Sequence, residues 1–356
     1  MLEKNAVTQP LLYIEAVCQR NAMTPYTKTV VAGKITPSIR YGFVIFCFAA
    51  ALLPSLLGYT GAAAADWKPL ADRLTADGFN REAMETLFAR PECLFEPDSM
   101  AGKLRALIRS RSAEADSLSE AALRKVYRRE YLNPWAIARA NAYLIQNKSI
   151  MDEIATRYGV PSEIVVSILL IETHLGRNTG NRRVFNRLAS MACATSLEII
   201  HPHLDIALLT PETVEFARRR CQEKSDWAYG ELKALLSYAE QNKIDPLSIR
   251  GSIYGAIGMC QFMPSNILVY GVDADGDGRI DPFTKADALH SIANYLRGHG
   301  WREGLDREDQ YRVVYAYNHS NVYANTVLAV AEKIRGGGRQ KRPLRRGAAA
   351  HPGASH

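Results

Sequence analysis

Val160-Pro161-Ser162-Glu163-Ile164-Val165-Val166-Ser167-Ile168-Leu169-Leu170-Ile171-Glu172-Thr173-His174-Leu175-Gly176 opens on a proline-serine helix entry and closes on a glycine stop. From Ile164 to Ile171 the segment is apolar almost all round, the pattern of a helix buried on every side. Glu172 follows that run directly. An ionisable side chain seldom accompanies such a run without a partner. Desolvation there raises a carboxyl pKa, which is the condition for a general acid at neutral pH. The competing reading is an exposed glutamate near the helix end, paired with Arg177 or Lys148.

Outward from this helix the signals remain helical. Leu104, Leu107 and Ile108, then Leu123, Val126 and Tyr127, follow the i, i+3, i+4 spacing of one face. Thr210-Pro211-Glu212 opens a helix that runs past Cys221, and another begins at Pro264-Ser265. Helices are also expected over Lys285–His299 and Tyr311–Ile334. Strand signals are few and short, and no solenoid period is visible. The fold class is mainly α.

The whole chain has 356 residues, 47% hydrophobic and 23% charged. That composition argues against wholesale disorder, a collagen repeat or a multi-span membrane protein, and the length allows about two domains. Its net charge of +7 sits at the ends: +3 over residues 1–65 and +5 over 336–356, leaving −1 for the body at 66–335. A nucleic-acid partner is therefore not implied.

Gly42 to Gly58 is an apolar run after Arg40, followed by Ala62-Ala63-Ala64-Ala65. This is the order of a secretory signal cleaved after Ala65, with an uncleaved membrane anchor as the alternative. A start at Met23 would shorten the leader to a usual length. Residues 1–65 are thus expected to direct export, 66–335 to form the folded body, and 336–356 to be a disordered basic tail. Cys18 and Cys47 would leave with the signal. Cys93, Cys193, Cys221 and Cys260 form no Cys-x-x-Cys pair, which disfavours zinc. An oxidising compartment permits a Cys193–Cys221 bridge; four buried thiols are the alternative.

Ile249 to Ser265, IRGSIYGAIGMCQFMPS, places glycines and small residues before a polar-aromatic turn. Small residues let a backbone approach a bulky ligand, Gln261 offers a donor and an acceptor, and Phe262 and Met263 offer apolar surface. A tight packing turn is the alternative. Four patterns occur in order: Glu-Thr-x-x-Gly, Gly-Ser-x-x-Gly-Ala-x-Gly-x-x-Gln-Phe-Met-Pro-Ser, Ala-Asn-Tyr-x-x-x-His-Gly-Trp (Ala293–Trp301) and Tyr-Asn-His-Ser (Tyr317–Ser320). Together they resemble the membrane-bound lytic transglycosylase B family of peptidoglycan-cleaving enzymes.

The resemblance covers most of residues 66–335. It implies a lysozyme-like α+β catalytic core with additional N-terminal helices, acting as a monomer on peptidoglycan glycan strands. By it, Glu172 matches the catalytic glutamate, and Ser252, Gln261, Tyr295, Tyr317, Asn318 and Tyr323 match sugar-contacting positions. Cys260 departs from the residue, often glycine, that the family has beside its glutamine, and the stretch from about Cys193 to Trp227 looks longer than usual. The implied reaction cuts the bond between N-acetylmuramic acid and N-acetylglucosamine and closes a 1,6-anhydro ring, so one carboxyl serves where hydrolases need two. A silent peptidoglycan-binding protein and a lysozyme-type hydrolase are the alternatives.

Asp273-Ala-Asp275-Gly-Asp277-Gly-Arg279 is the start of an EF-hand loop, with oxygens at positions 1, 3 and 5, glycine at 6 and the Arg279 carbonyl at 7. Thr284 stands where the closing glutamate belongs, so Asp287 is the next candidate, and the resemblance implies a longer loop closed by such an aspartate. A structural calcium ion is expected.

Overall fold

The computed structural model describes residues 66–113, 126–205 and 208–339. The expected signal, Leu123 and the tail beyond 339 lie outside them. Thirteen α-helices occur among the described residues: α1 Lys68–Ala76, α2 Arg81–Phe88, α3 Asp98–Ala113, α4 Pro134–Gln146, α5 Lys148–Tyr158, α6 Ser162–Thr173, α7 Val184–Cys193, α8 Leu197–Ile200, α9 Pro211–Gln241, α10 Pro264–Tyr270, α11 Lys285–Gly298, α12 Arg307–Tyr317 and α13 Asn321–Arg339. The mainly α class holds.

Helix α6 is the axis. All eight residues from Ile164 to Ile171 are buried, and α13, α4, α11 and α5 pack round it. Each buried aliphatic side chain there stabilises by roughly 1.5–3 kcal/mol, so the end of the helix is held in place by its whole length. Helix α9, which opens on Pro211 with a Thr210/Thr213 capping box, packs on α7, α10 and α3 and forms the second half of the core. Among the described residues no single helix is long and apolar enough to cross a membrane.

The β component is small. Arg182–Arg183 pairs antiparallel with Arg250–Gly251, in the register Arg182 opposite Gly251, and bridges link Gly251 to Ile257 and Ile257 to Phe262. The close approach needs glycine: a Cβ on Gly180, whose φ is +85°, would lie 2.2 Å from the Gly251 carbonyl oxygen.

Three expectations change, and one open alternative, the state of Cys193 and Cys221, is decided. The span Tyr311–Ile334 is two helices, because the chain breaks at Asn318, whose backbone is extended. Val126 and Tyr127 are exposed and outside any helix. Helix α13 continues to Arg339, four residues past the expected end of the fold. Cys193 and Cys221 are free thiols, as are Cys93 and Cys260, and the Cys221 thiol donates to the Ala194 carbonyl at 3.3 Å. The stretch from Cys193 to Trp227 forms α8, a 3₁₀ turn at His201–His203 and the first half of α9.

Candidate active site

The backbone turns sharply just past Glu172. His174, Leu175 and Gly176 all have left-handed φ values, 51°, 66° and 82°. Such conformations cost a non-glycine residue about 1–3 kcal/mol and persist only where the surroundings fix them. Here the His174 and Leu175 amides close on the Leu170 and Leu169 carbonyls at 3.0 and 3.1 Å. The Thr173 hydroxyl accepts from the Gly176 amide and donates to the Met259 carbonyl, both at 3.0 Å. Thr173 thereby joins the acidic end of α6 to the glycine-rich turn.

Glu172 is half-buried as a residue, with its carboxyl at the desolvated end. Burial pushes its pKa up to about 7, against the Tyr323 phenol and the Arg128 guanidinium, which both favour the anion. Neither Arg177 nor Lys148 takes the partner role; Lys148 pairs with Asp152 instead. Cys260, Tyr317 and Tyr323 each feel the Glu172 charge, which brings the glutamate, the Gln261 turn and the Tyr-Asn-His-Ser break to one place.

Tyr317 donates to the Cys260 carbonyl at 2.6 Å, and its ring lies nearly parallel to that of Tyr323, 6.3 Å between centroids. Asn318, only 4% exposed, keeps its Oδ1 buried with no hydrogen-bond partner among the described residues, and the buried Tyr323 hydroxyl likewise closes no bond of ordinary geometry. An orphaned buried polar atom costs about 1–3 kcal/mol, so the Asn318 oxygen, next in the chain to Tyr317, marks a position built for a polar ligand, while the Tyr323 phenol is turned to Glu172.

Gln261 adopts a left-handed φ of 51°, and its amide nitrogen donates to the Gly258 and Thr179 carbonyls at 2.8 and 3.1 Å. Both amide hydrogens are thus used within the protein, and the side-chain oxygen is the atom left to accept from a ligand. The Ser252 hydroxyl accepts from the Tyr254 and Ala256 amides, so it shapes the turn. Tyr295 points inward: it is 5% exposed, donates to the Ala316 carbonyl at 2.7 Å, and lies among Phe262, Tyr270, His299 and Tyr317. The buried thiol of Cys260 is a packing group, with its pKa pushed up to about 12.

Sequence reasoning did not single out Arg128, Thr173 or Glu231. Glu231 on α9 accepts from the Ser265 amide at 3.0 Å and hydroxyl at 2.8 Å, capping α10 where its own N-cap residue Met263 cannot. Only Thr173 belongs to a recognisable motif; the other two arrive from elements distant in sequence.

The aspartate loop sits against the same turn, since the Met259 amide donates to the Pro282 carbonyl at 2.7 Å. One oxygen each of Asp273, Asp275 and Asp287 lie within 4.8 Å of one another. Converging carboxylates repel, and such a set fits an oxygen-seeking divalent cation. Asp287, buried, accepts from the Ala274 and Asp281 amides at 2.9 and 2.7 Å, so it closes the loop from α11. Asp277 stands outside the three-carboxylate group and accepts from the Arg279 amide at 2.8 Å.

The transglycosylase SLT domain family matches residues 62–308. The chain belongs to that family. Membrane-bound lytic murein transglycosylase B of Escherichia coli K12 is 32% identical over 178 residues, half of this chain and 42% of the relative, so the match spans under half of that relative's length. The SLT-domain fold recurs in Escherichia coli SLT35, a lytic transglycosylase solved in complex with calcium, at 22% identity and TM-score 0.56, covering 78% of this chain and 94% of that one. The soluble lytic transglycosylase SltB1 of Pseudomonas aeruginosa is 25% identical at TM-score 0.56, over 76% of this chain and 98% of its own. SltB3 of the same organism, solved with NAG-anhNAM-pentapeptide, covers 77% of this chain at 22% identity and TM-score 0.56. The lysozyme-like fold and the family read from the four motifs both hold.

Proposed function

We propose that this chain is an exported lytic transglycosylase that cleaves peptidoglycan between N-acetylmuramic acid and N-acetylglucosamine. The observation that carries the reading is a single carboxyl, Glu172, whose pKa is pushed up to about 7 by burial beside the Tyr317 and Tyr323 phenols. At neutral pH a large share of it is protonated and able to donate to the leaving glycosidic oxygen. The resulting carboxylate then takes the proton from the muramyl C6 hydroxyl as that oxygen closes on C1. Atoms balance without water: the C1–O4 bond breaks, C1–O6 forms, and the proton lost from O6 replaces the one given to O4. Among the described residues the groups acting on Glu172 are a tyrosine and an arginine rather than a second carboxylate, which is how hydrolases activate water.

In this reading Tyr323, Asn318 and the Gln261 oxygen hold the reacting sugar, and Tyr317 fixes the Cys260 carbonyl beside it. Ser252 and Tyr295 act one step back, by shaping the turn and the aromatic floor. Holding the sugar so that its own hydroxyl meets C1 supplies the orientation that replaces an external nucleophile. Muropeptides released from purified peptidoglycan and weighed by mass spectrometry test the assignment: anhydro ends support it and reducing muramyl ends refute it.

Calcium is the ion that suits Asp273, Asp275 and Asp287 with the Arg279 carbonyl, and its charge would hold the loop against Met259 and the Gln261 turn. Adding calcium at about 100 times its dissociation constant is expected to stabilise the fold by ~2.7 kcal/mol, read as a rise in thermal midpoint. Asp287→Ala is expected to remove the rise, and Asp277→Ala to diminish it less. Identical midpoints with calcium and with chelator would end the assignment.

A further inference from the structure

Helix α4 carries an unusual surface residue. Trp135 is 83% exposed, whereas Trp67, Trp227 and Trp301, the chain's other tryptophans, are all at least partly buried. It stands on a rigid base. Asn133 caps the helix by accepting from the Ala136 amide at 2.9 Å and donates to the Glu130 carbonyl at 2.6 Å, and Pro134 fixes the first turn.

That base is tied to both sides of Glu172. The Tyr131 hydroxyl donates to the Ile171 carbonyl at 3.3 Å, and its ring stacks on His174 with centroids 5.7 Å apart. Arg139, one turn beyond Trp135 on the same helix face, donates to the His174 carbonyl at 3.2 Å. Arg128 acts on both Glu172 and His174. Exposed Tyr127 adjoins Arg128 in the chain. Buried Tyr131 and the half-buried Arg128 and Arg139 therefore tie the segment that carries Trp135 to the Glu172 end of α6.

We propose that Trp135 is a stacking platform for a pyranose ring of the glycan strand, outside the reaction cleft; this rests on the transglycosylase reading for its substrate. The face of an indole is electron-rich and meets the row of polarised C–H groups on one side of a β-linked sugar, while Arg139 beside it can donate to ring hydroxyls. A rigid, fully presented aromatic contributes contact area at little entropic cost. Its place on a base tied to Ile171 and His174, on either side of Glu172, selects the glycan engaged at that carboxyl over an unrelated protein partner.

The probe is the β-1,4-linked N-acetylglucosamine hexamer, with the dimer as comparison, titrated into the full chain carrying Glu172→Gln. Acrylamide quenching reads chiefly Trp135, the most exposed of the four tryptophans, and Trp135→Phe supplies the background from the partly exposed Trp67 and Trp227. The hexamer is expected to shield it saturably and the dimer not to. Trp135→Ala is expected to weaken hexamer binding roughly three- to tenfold with dimer binding little changed, and Trp135→Phe to restore most of the loss. Unchanged hexamer affinity in Trp135→Ala, or quenching indifferent to the hexamer, overturns the platform. Product analysis keeps the two readings apart: anhydro ends with no Trp135 effect sink only the platform, and a Trp135 effect with reducing ends sinks only the reaction.

Discussion

Glu172→Gln is expected to lower turnover of peptidoglycan by ~10³-fold or more while glycan binding persists, because the amide keeps the shape and loses the transferable proton. A second consequence separates this glutamate from a structural one. Its pKa lies at about 7 in the fold, above the 4.5 of an ordinary glutamate. As pH rises through 4.5 the unfolded chain loses this proton while the folded chain keeps it. The fold therefore loses stability across the window from 4.5 to about 7, and bears the full penalty above it. Glutamine carries no such penalty. Glu172→Gln should consequently unfold at a higher temperature than the parent at pH 8, with the difference vanishing near pH 4. Parent turnover should also decline as pH rises past 7 and the acid form disappears. Equal midpoints at pH 8 together with near-parent turnover would remove Glu172 from the mechanism.

Gly258→Ala is expected to damage the fold and the site together. Gly258 has a φ of +71°, and a Cβ there would sit 2.3 Å from the Pro282 carbonyl oxygen and 2.5 Å from its Cβ. The left-handed backbone costs an alanine about 1 kcal/mol, and the backbone clash adds more, for a total of ~3 kcal/mol or greater. The clash also pushes apart the Met259–Pro282 hydrogen bond that joins the Gln261 turn to the aspartate loop, so activity should fall with stability. Gly278→Ala is the control: its φ is +83°, yet nothing lies within 4 Å of the added Cβ. Only the conformational cost of about 1 kcal/mol applies there. Denaturant unfolding of the two variants measures the difference; equal losses would mean that the close approach at Pro282 carries no weight.

Much of this was legible in the chain, for physical reasons. A helix apolar on every face has one stable setting, the centre of a core, and an acid at its end is then conspicuous. The alternation Asp273, Asp275, Asp277 with two glycines is local chemistry, and local chemistry is what a sequence records best. Non-local geometry was less readable. Tyr295 carries a family motif yet spends its hydroxyl on the Ala316 carbonyl, a contact no spacing announces. Asn318 ends a helix that apolar periodicity alone carried straight through to Ile334, because its extended backbone answers to the packing of α12 against α13. Arg128 and Glu231 reach the site from segments 44 and 34 residues away from Glu172 and Ser265. Leu123, Val126 and Tyr127 matched a helix face over three positions, too short a stretch to decide the backbone, which is irregular over 126–128.

The mass of the muramyl end bears most directly on the central claim. Purified peptidoglycan is digested with the parent enzyme near pH 6.5, and soluble muropeptides are analysed before any reduction. The account predicts muramyl ends one water lighter than the hydrolysis product and inert to borohydride, absent from the Glu172→Gln digest. Muramyl ends that carry the full water and accept hydride would make the chain a hydrolase and contradict ring closure by the C6 hydroxyl.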